Sequence, residues 1–211
     1  MVLKVVAAVV IGYLLGSIPS AYIAGRLKKS VDIRQVGGGN MGALNVMRGV
    51  GTAAGYAVAV TDVAKGSLAV LFAQWLGLPQ VWILVAGFMA IAGHNWPVFL
   101  QFKGGKGGAT AMGVLLALVP LEFGIGFAVT VVTVIITSNP ALGQAIGMAC
   151  MPLVIWQLNG SGMLVGFSLA VFIFVAIRYS LAGLRRAREG VDIKKGLIFS
   201  REYHFWQVKK K

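Results

Sequence analysis

The chain has 211 residues, 58% of them hydrophobic and 12% charged, with a mean hydropathy of +0.83 and a formal net charge of +13. Water-soluble domains carry about 25% charged residues, and a chain this apolar folded in water would present a broad hydrophobic surface that water penalises. A soluble fold is therefore excluded and a bilayer-embedded one implied. The positive charge does not indicate nucleic acid, because the basic residues gather in loops and a tail beside apolar runs, the pattern of cytoplasmic loops that contact anionic lipid heads.

In chain order, the first apolar stretch runs from Val5 to Ala24. It is long for a secretory leader and carries no marked small-residue cleavage site, so it reads as a retained span. A loop follows with Arg26, Lys28, Lys29, Arg34 and Arg48. Thr52 to Leu76 and Pro79 to Leu100 form the next two stretches, and Lys103 and Lys106 sit just beyond them. The apolar region from Gly108 to Gly183 is broken at Pro120 with Glu122, at Ser138-Asn139-Pro140, and at Asn159-Gly160-Ser161-Gly162. Its pieces are about 12, 16, 18 and 20 residues long, and the first falls short of the ~20 residues that a full span needs.

The expected fold is an all-α polytopic transmembrane bundle in a single domain over 1–211, with a basic cytoplasmic tail at about 185–211. Keeping all three basic groups in the cytoplasm requires an even number of crossings after Lys106. Four pieces give seven spans; merging them gives five. Seven is the reading preferred here, with the N-terminus outside and the C-terminus cytoplasmic. The aromatic and lysine-rich end, Ser200 to Lys211, suits a segment lying at the interface. Cys150 is the sole cysteine, so no intramolecular disulfide can form; its apolar surroundings predict a buried, inert thiol. Glu122 is expected at an outer interface.

Asp62 and Lys65 lie inside the second stretch, three residues apart and so on one helical face. Facing lipid they would be costly, so both are expected to point inward. Two roles are open: a structural ion pair, or a lysine that helps hold an anionic substrate.

Two loops carry the chemistry. Gly37-Gly38-Gly39-Asn40-Met41-Gly42-Ala43-Leu44-Asn45-Val46-Met47-Arg48 combines bare backbone amides, which converge on an anion without side-chain obstruction, with amide donors and a guanidinium able to grip phosphate through two N–H groups. The second, from Gly93-His94-Asn95 to Phe102-Lys103-Gly104-Gly105-Lys106-Gly107-Gly108, sets two lysines around two glycines. It lacks the spacing of a nucleotide-binding P-loop, so ATP is not implied. His94 could orient this loop or touch substrate. Six acidic residues and two histidines leave no carboxylate dyad, no His-x4-Asp pair and no metal-ligand cluster. Metal and cofactor are both expected to be absent. An enzyme built this way works by positioning and electrostatics on a substrate that is already activated.

At these loops the sequence resembles the bacterial acyl-phosphate:glycerol-3-phosphate acyltransferases, the PlsY family. The resemblance rests on Gly16-Ser17-Ile18-Pro19-Ser20 with Gly25-Arg26-Leu27, on Asp32-Ile33-Arg34, and on the glycine-asparagine loop ending at Arg48. It continues with Asp62 and Lys65-Gly66, then Gly93-His94, Pro97, Phe99, Phe102 to Gly107 and Ala109-Thr110-Ala111. It is specific over about residues 12–115. The resemblance implies seven spans, an outside N-terminus and a site facing the cytoplasm of the bacterial plasma membrane. It further implies that the 1-hydroxyl of glycerol 3-phosphate attacks an acyl phosphate, giving lysophosphatidic acid and phosphate, with a substrate phosphate taking the proton.

By the same resemblance Arg48, Lys106 and Asn45 are the expected catalytic residues. Ser17, Gly37, Gly38, Gly39, Asn40, Gly42, Lys65, His94, Lys103, Gly104 and Gly105 are the expected substrate contacts, in a monomer. Departures from the family are Gly38 for Ser, Leu44 for Thr, Ser138 to Gln144 in place of an Arg-Tyr segment, and Ser180 and Gly183 in place of His and Asn. These leave open a relative with another acceptor or acyl-phosphate hydrolysis, and a non-catalytic lipid-binding membrane protein.

Overall fold

Proline and glycine punctuation divides the apolar runs into helices. The computed structural model describes residues 1–188; the interfacial segment expected at Ser200 to Lys211 lies outside the described residues. Those described fold as α1 (Val2–Ser17), α2 (Ser20–Lys29), α3 (Ala43–Gly49), α4 (Thr52–Trp75), α5 (Gln80–Asn95), α6 (Gly108–Leu118), α7 (Pro120–Thr137), α8 (Pro140–Leu158) and α9 (Gly162–Arg188). Two 3-10 turns, Ile33–Gln35 and Val98–Leu100, sit in the loops.

Six stretches of the described residues have the length and apolarity to cross a bilayer: Val2–Lys29, Thr52–Trp75, Gln80–Leu100, Pro120–Thr137, Pro140–Leu158 and Gly162–Arg185. The seventh apolar helix, Gly108–Leu118, has 11 residues. At 1.5 Å per residue it rises only about 16 Å, roughly half a hydrocarbon core. It corresponds to the short piece of the sequence reading. Large side chains such as Ile135, Ile136, Leu121 and Trp156 are more than half exposed along these helices, the surface that lipid rather than water tolerates.

The described residues form two compact units, one over Met1–Leu118 and one from Val119 onward. In the first, α1 lies parallel against α5, because glycines let the backbones approach. A Cβ on Gly12 would come 2.6 Å from the Ala86 carbonyl oxygen, and one on Gly16 would overlap that of Ala90. Antiparallel to α1, α4 brings Leu76 O to Lys4 Nζ (3.0 Å) at one end and Lys65 Nζ to Ile18 O (3.1 Å) near the other. Against α4 packs α6, through Gly66 and Gly113 and a Ser67 Oγ to Gly113 O hydrogen bond of 2.7 Å. In the second unit α7, α8 and α9 form an antiparallel hairpin series. Gly126, Gly143 and Gly147 line the α7–α8 contact, and Tyr179 donates to Gln144 Oε1 at 3.0 Å between α8 and α9. Asn139 caps α8, its Oδ1 accepting from Ala141 N and Leu142 N.

Four features depart from the sequence reading. The first apolar stretch is broken at Ile18–Pro19, since proline supplies no N–H to continue the ladder. Arg26, Lys28 and Lys29 occupy the last turn of α2 rather than a loop, where cations favour the carbonyl end of a helix. Asn45 and Arg48 lie on a helix, α3, opened by the Gly42 carbonyl, which accepts from Asn45 N and Val46 N. Cys150 is half-buried rather than buried, because it falls between the packed face of α8 that carries Gly147 and Met151 and its outer face. Glu122 stands in the first turn of α7 and is covered by protein there, where the helix N-terminus favours a negative charge.

Gly113→Ala should lower the thermal unfolding midpoint in detergent, at a cost of about 1–3 kcal/mol, because its Cβ would overlap the backbone carbonyl of Val63. Gly124, where an added Cβ would meet nothing within 4 Å, should by contrast accept alanine with a gain of up to about 1 kcal/mol.

Candidate active site

The glycine loop is closed by its own side chains. Asp32 caps the turn that begins at Ile33, accepting from Arg34 N at 3.0 Å and from the Arg34 guanidinium at Oδ1 (3.0 Å) and Oδ2 (2.7 Å). The hydrogen-bonded Arg34 holds the Asp32 carboxyl down at about 2, below its ordinary 3.8, against an opposing effect of burial. Arg34 and Arg26 both lie over the Tyr22 ring, at 5.4 and 5.2 Å from its centre.

Gly37 and Gly39 then turn the chain with φ of +59° and +66°, a region that costs glycine nothing. Asn45 reaches back from α3 to hold this turn. Its Nδ2 donates to Ile33 O (3.1 Å) and Val36 O (2.9 Å), and its Oδ1 accepts from Gly38 N (3.2 Å). With both amide hydrogens committed to the loop, Asn45 acts as a clamp on the glycine backbone. Gly37, Gly38 and Gly39 are exposed, Asn40 is half-buried beside Gly42, and Arg48 is exposed at the end of α3.

The lysine loop is folded back on the end of α5. After Asn95 and Pro97 the chain passes through Gln101 and Phe102, both left-handed, and Phe102 N donates to Pro97 O at 3.0 Å. Gly105 N donates to His94 O at 3.0 Å. A Cβ on Gly104 would overlap His94 O and Pro97, and one on Gly105 would overlap the His94 ring at Nε2. The two glycines are thus required by close approach to α5, in addition to any approach by a ligand. Lys103 is exposed and Lys106 half-buried. Immediately after the loop, in the first turn of α6, Thr110 Oγ1 is buried with no protein group in hydrogen-bonding reach.

Both loops stand at one end of the first unit. Leu100 of the lysine loop packs in the same apolar cluster as Ile33, Met41 and Val46 of the glycine loop. Between them, a small cleft that opens to the outside is lined by Ser20, Lys65 and His94, with Ile18, Pro19, Met41 and Pro97 among its apolar walls. Of the expected site residues, Lys65 and His94 line this cleft. Arg48, Lys103, Lys106 and the triple glycine are not among its lining residues. Ser17 is wholly buried and spends its hydroxyl on Tyr13 O at 2.8 Å, so α1 keeps it from the cleft. The sequence reading missed Ser20, Met41 and Pro97. The signal for Ser20 was present, as a hydroxyl placed directly after a proline within an apolar run.

The family model for glycerol-3-phosphate acyltransferase matches residues 6–187. Glycerol-3-phosphate acyltransferase 1 of Dehalococcoides mccartyi is 40% identical over 198 residues, covering 90% of this chain and 94% of that protein. The glycerol-3-phosphate acyltransferase of Geobacter sulfurreducens is 38% identical over 182 residues, covering 86% and 93%. Among solved structures, the glycerol 3-phosphate form of PlsY (YgiH), an integral membrane glycerol 3-phosphate acyltransferase, matches with a TM-score of 0.82 at 28% identity, over 96% of this chain and 99% of that one. The lysophosphatidic acid form matches with a TM-score of 0.77 at 29% identity, over 88% and 92%.

A buried hydroxyl without a partner costs about 1–3 kcal/mol. Thr110→Val, which keeps the shape and removes the hydroxyl, should therefore raise stability by about 1 kcal/mol in thermal unfolding. A fall instead would show that the hydroxyl is bonded in the membrane.

Proposed function

We infer the function from a plain premise: the chain belongs to the glycerol-3-phosphate acyltransferase family, and it transfers an acyl chain to glycerol 3-phosphate, giving lysophosphatidic acid. The observation that carries this is the family match from residue 6 to 187, which runs through both units and supports treating 1–211 as one functional domain.

The acyl donor we propose is acyl phosphate. It is a mixed anhydride and brings its own leaving group, which suits a chain with six acidic residues and two histidines. The 1-hydroxyl oxygen of glycerol 3-phosphate bonds to the acyl carbon, the bond from that carbon to the phosphate oxygen breaks, and the hydroxyl proton passes to a substrate phosphate. Protein groups then need only hold two phosphates and the developing negative charge.

In this reading Arg48 grips phosphate through two parallel N–H groups and Lys106 supplies a compact cation. Lys103 adds a second cation, and the amides of Gly37, Gly38, Gly39, Gly104 and Gly105 offer donors. Asn40 and Gly42 flank the phosphate, while Asn45 sets the amides in place and His94 and Lys65 face the glycerol. Support comes from the shared end of the two loops and from the Asn45 clamp that presents the glycine backbone.

For the membrane arrangement, the reading is seven crossings in a bacterial plasma membrane, as a monomer, with N-terminus outside and site and C-terminus in the cytoplasm. Arg26, Lys28, Lys29, Arg34, Arg48, Lys103 and Lys106 all belong to the end of the first unit that bears the loops, against Lys4 alone of the lysines and arginines at the opposite turn, Leu76–Pro79; this excess supports the orientation.

Purified protein in lipid, given acyl phosphate and glycerol 3-phosphate, should release inorganic phosphate and form lysophosphatidic acid. Lys106→Ala should lower kcat/KM by about 10- to 150-fold, the equivalent of losing a charged hydrogen bond of about 1.5–3 kcal/mol. Release no greater than from empty membranes would defeat the proposal. A reporter fused after Lys211 should be active in the cytoplasm; activity only outside the cell would reverse the topology.

A further inference from the structure

Asp62 lies in α4 and is 1% exposed. A single carboxylate oxygen, Oδ1, faces three donors: Ser20 Oγ at 2.7 Å, Lys65 Nζ at 2.8 Å and His94 Nδ1 at 3.6 Å. They come from three places: the first residue of α2, the next turn of α4, and the end of α5. Ser20, Lys65 and His94 are also the three polar side chains that line the cleft, whereas Asp62 does not line it. One oxygen therefore orients the whole polar wall from behind.

The hold extends outward on both sides. Lys65 Nζ donates also to Ile18 O at 3.1 Å, so two acceptors fix the direction of its ammonium at the Ile18–Pro19 break. The His94 ring is wedged between Asp62, at Nδ1, and Gly105, whose Cα lies against Nε2; the His94 carbonyl takes the Gly105 N–H. A displacement of Asp62 would thus reach Lys65 in the cleft and, through His94, the loop that carries Lys106. Enclosed as it is, the carboxylate stands behind the cleft wall rather than in it.

We propose that Asp62 is the positioning residue of the acyl-transfer site, acting through His94 on the Gly104–Lys106 loop and through Lys65 and Ser20 on the cleft wall. This rests on the acyl-transfer reading above.

The test is a kinetic comparison in lipid of wild type, Asp62→Asn, His94→Gln and the double variant. Asp62→Asn should raise KM for glycerol 3-phosphate by about fivefold or more, because misplaced contacts weaken binding and turnover in every folded molecule. A residue that merely supports folding would lower the amount of active protein and leave KM within about twofold, and that result would overturn the proposal. His94→Gln should cost about tenfold in kcat/KM in the wild-type background but no more than about twofold once Asp62 is replaced, since the two act as one unit. Equal losses in both backgrounds would also overturn it.

Asp62→Asn leaves Lys65 buried without its counter-charge, which can prevent folding. The charge-balanced Asp62→Asn/Lys65→Met pair then serves as the background, with the same criterion for His94→Gln. The parallel wild-type assay separates the two readings: no product from wild type counts against acyl transfer, whereas normal wild-type turnover with an unmoved KM in the variants counts against Asp62 alone.

Discussion

An ionised carboxylate in the interior of a membrane protein has to find its partners within the protein, because the surrounding hydrocarbon offers none. Asp62 meets that demand at Oδ1, with Ser20 Oγ at 2.7 Å, Lys65 Nζ at 2.8 Å and the His94 ring beyond them at 3.6 Å, and this centre ties α2, α4 and α5 together. The helix of the N-terminal stretch must break near Ser20 to deliver a hydroxyl, and Pro19 supplies the break. The Ile18 carbonyl at this break is taken by Lys65, so the cation that balances Asp62 also stabilises the interruption. At the end of α5, His94 completes the set and receives the lysine loop on its carbonyl.

Glycine plays two separate parts around this centre. In the glycine loop, Gly37 and Gly39 occupy left-handed backbone conformations that a side chain would strain. In the lysine loop, and along α1, α4, α5 and α6, the glycines are needed because a neighbouring backbone or side chain stands where a Cβ would be. In lipid, where burial of apolar surface adds little to helix association, such close approach supplies dispersion contacts instead.

In the acyl-transfer reading proposed above, with few titratable groups at hand, this placement matters more than acid–base strength. Catalysis by positioning requires that cations and amides be held before substrate arrives. The Asn45 clamp and the Asp32–Arg34 pair hold the glycine loop, and the wedge of His94 against Gly105 holds the lysine loop. Each is a neutral or paired contact, so the loops are braced without leaving a bare charge.

The long apolar runs were enough to establish a helical membrane protein, since a helix of that length satisfies its backbone within its own segment, where lipid offers no partners. The breaks at Pro120, Ser138-Asn139-Pro140 and Asn159 to Gly162 were legible for the same reason: proline and glycine act locally. So were the two loops and the inward direction of Asp62 and Lys65, which follow from charge in an apolar run. The sequence could not decide whether that pair binds substrate or braces the fold, nor that Ser20 and His94 share its oxygen, nor that α3 carries Asn45 and Arg48. Those depend on helices distant in the chain meeting at glycine contacts, and no local pattern specifies which helix will stand opposite which. The tertiary structure decided them because a buried charge is satisfied by whatever donors packing brings within about 3 Å, and packing is a property of the assembled unit.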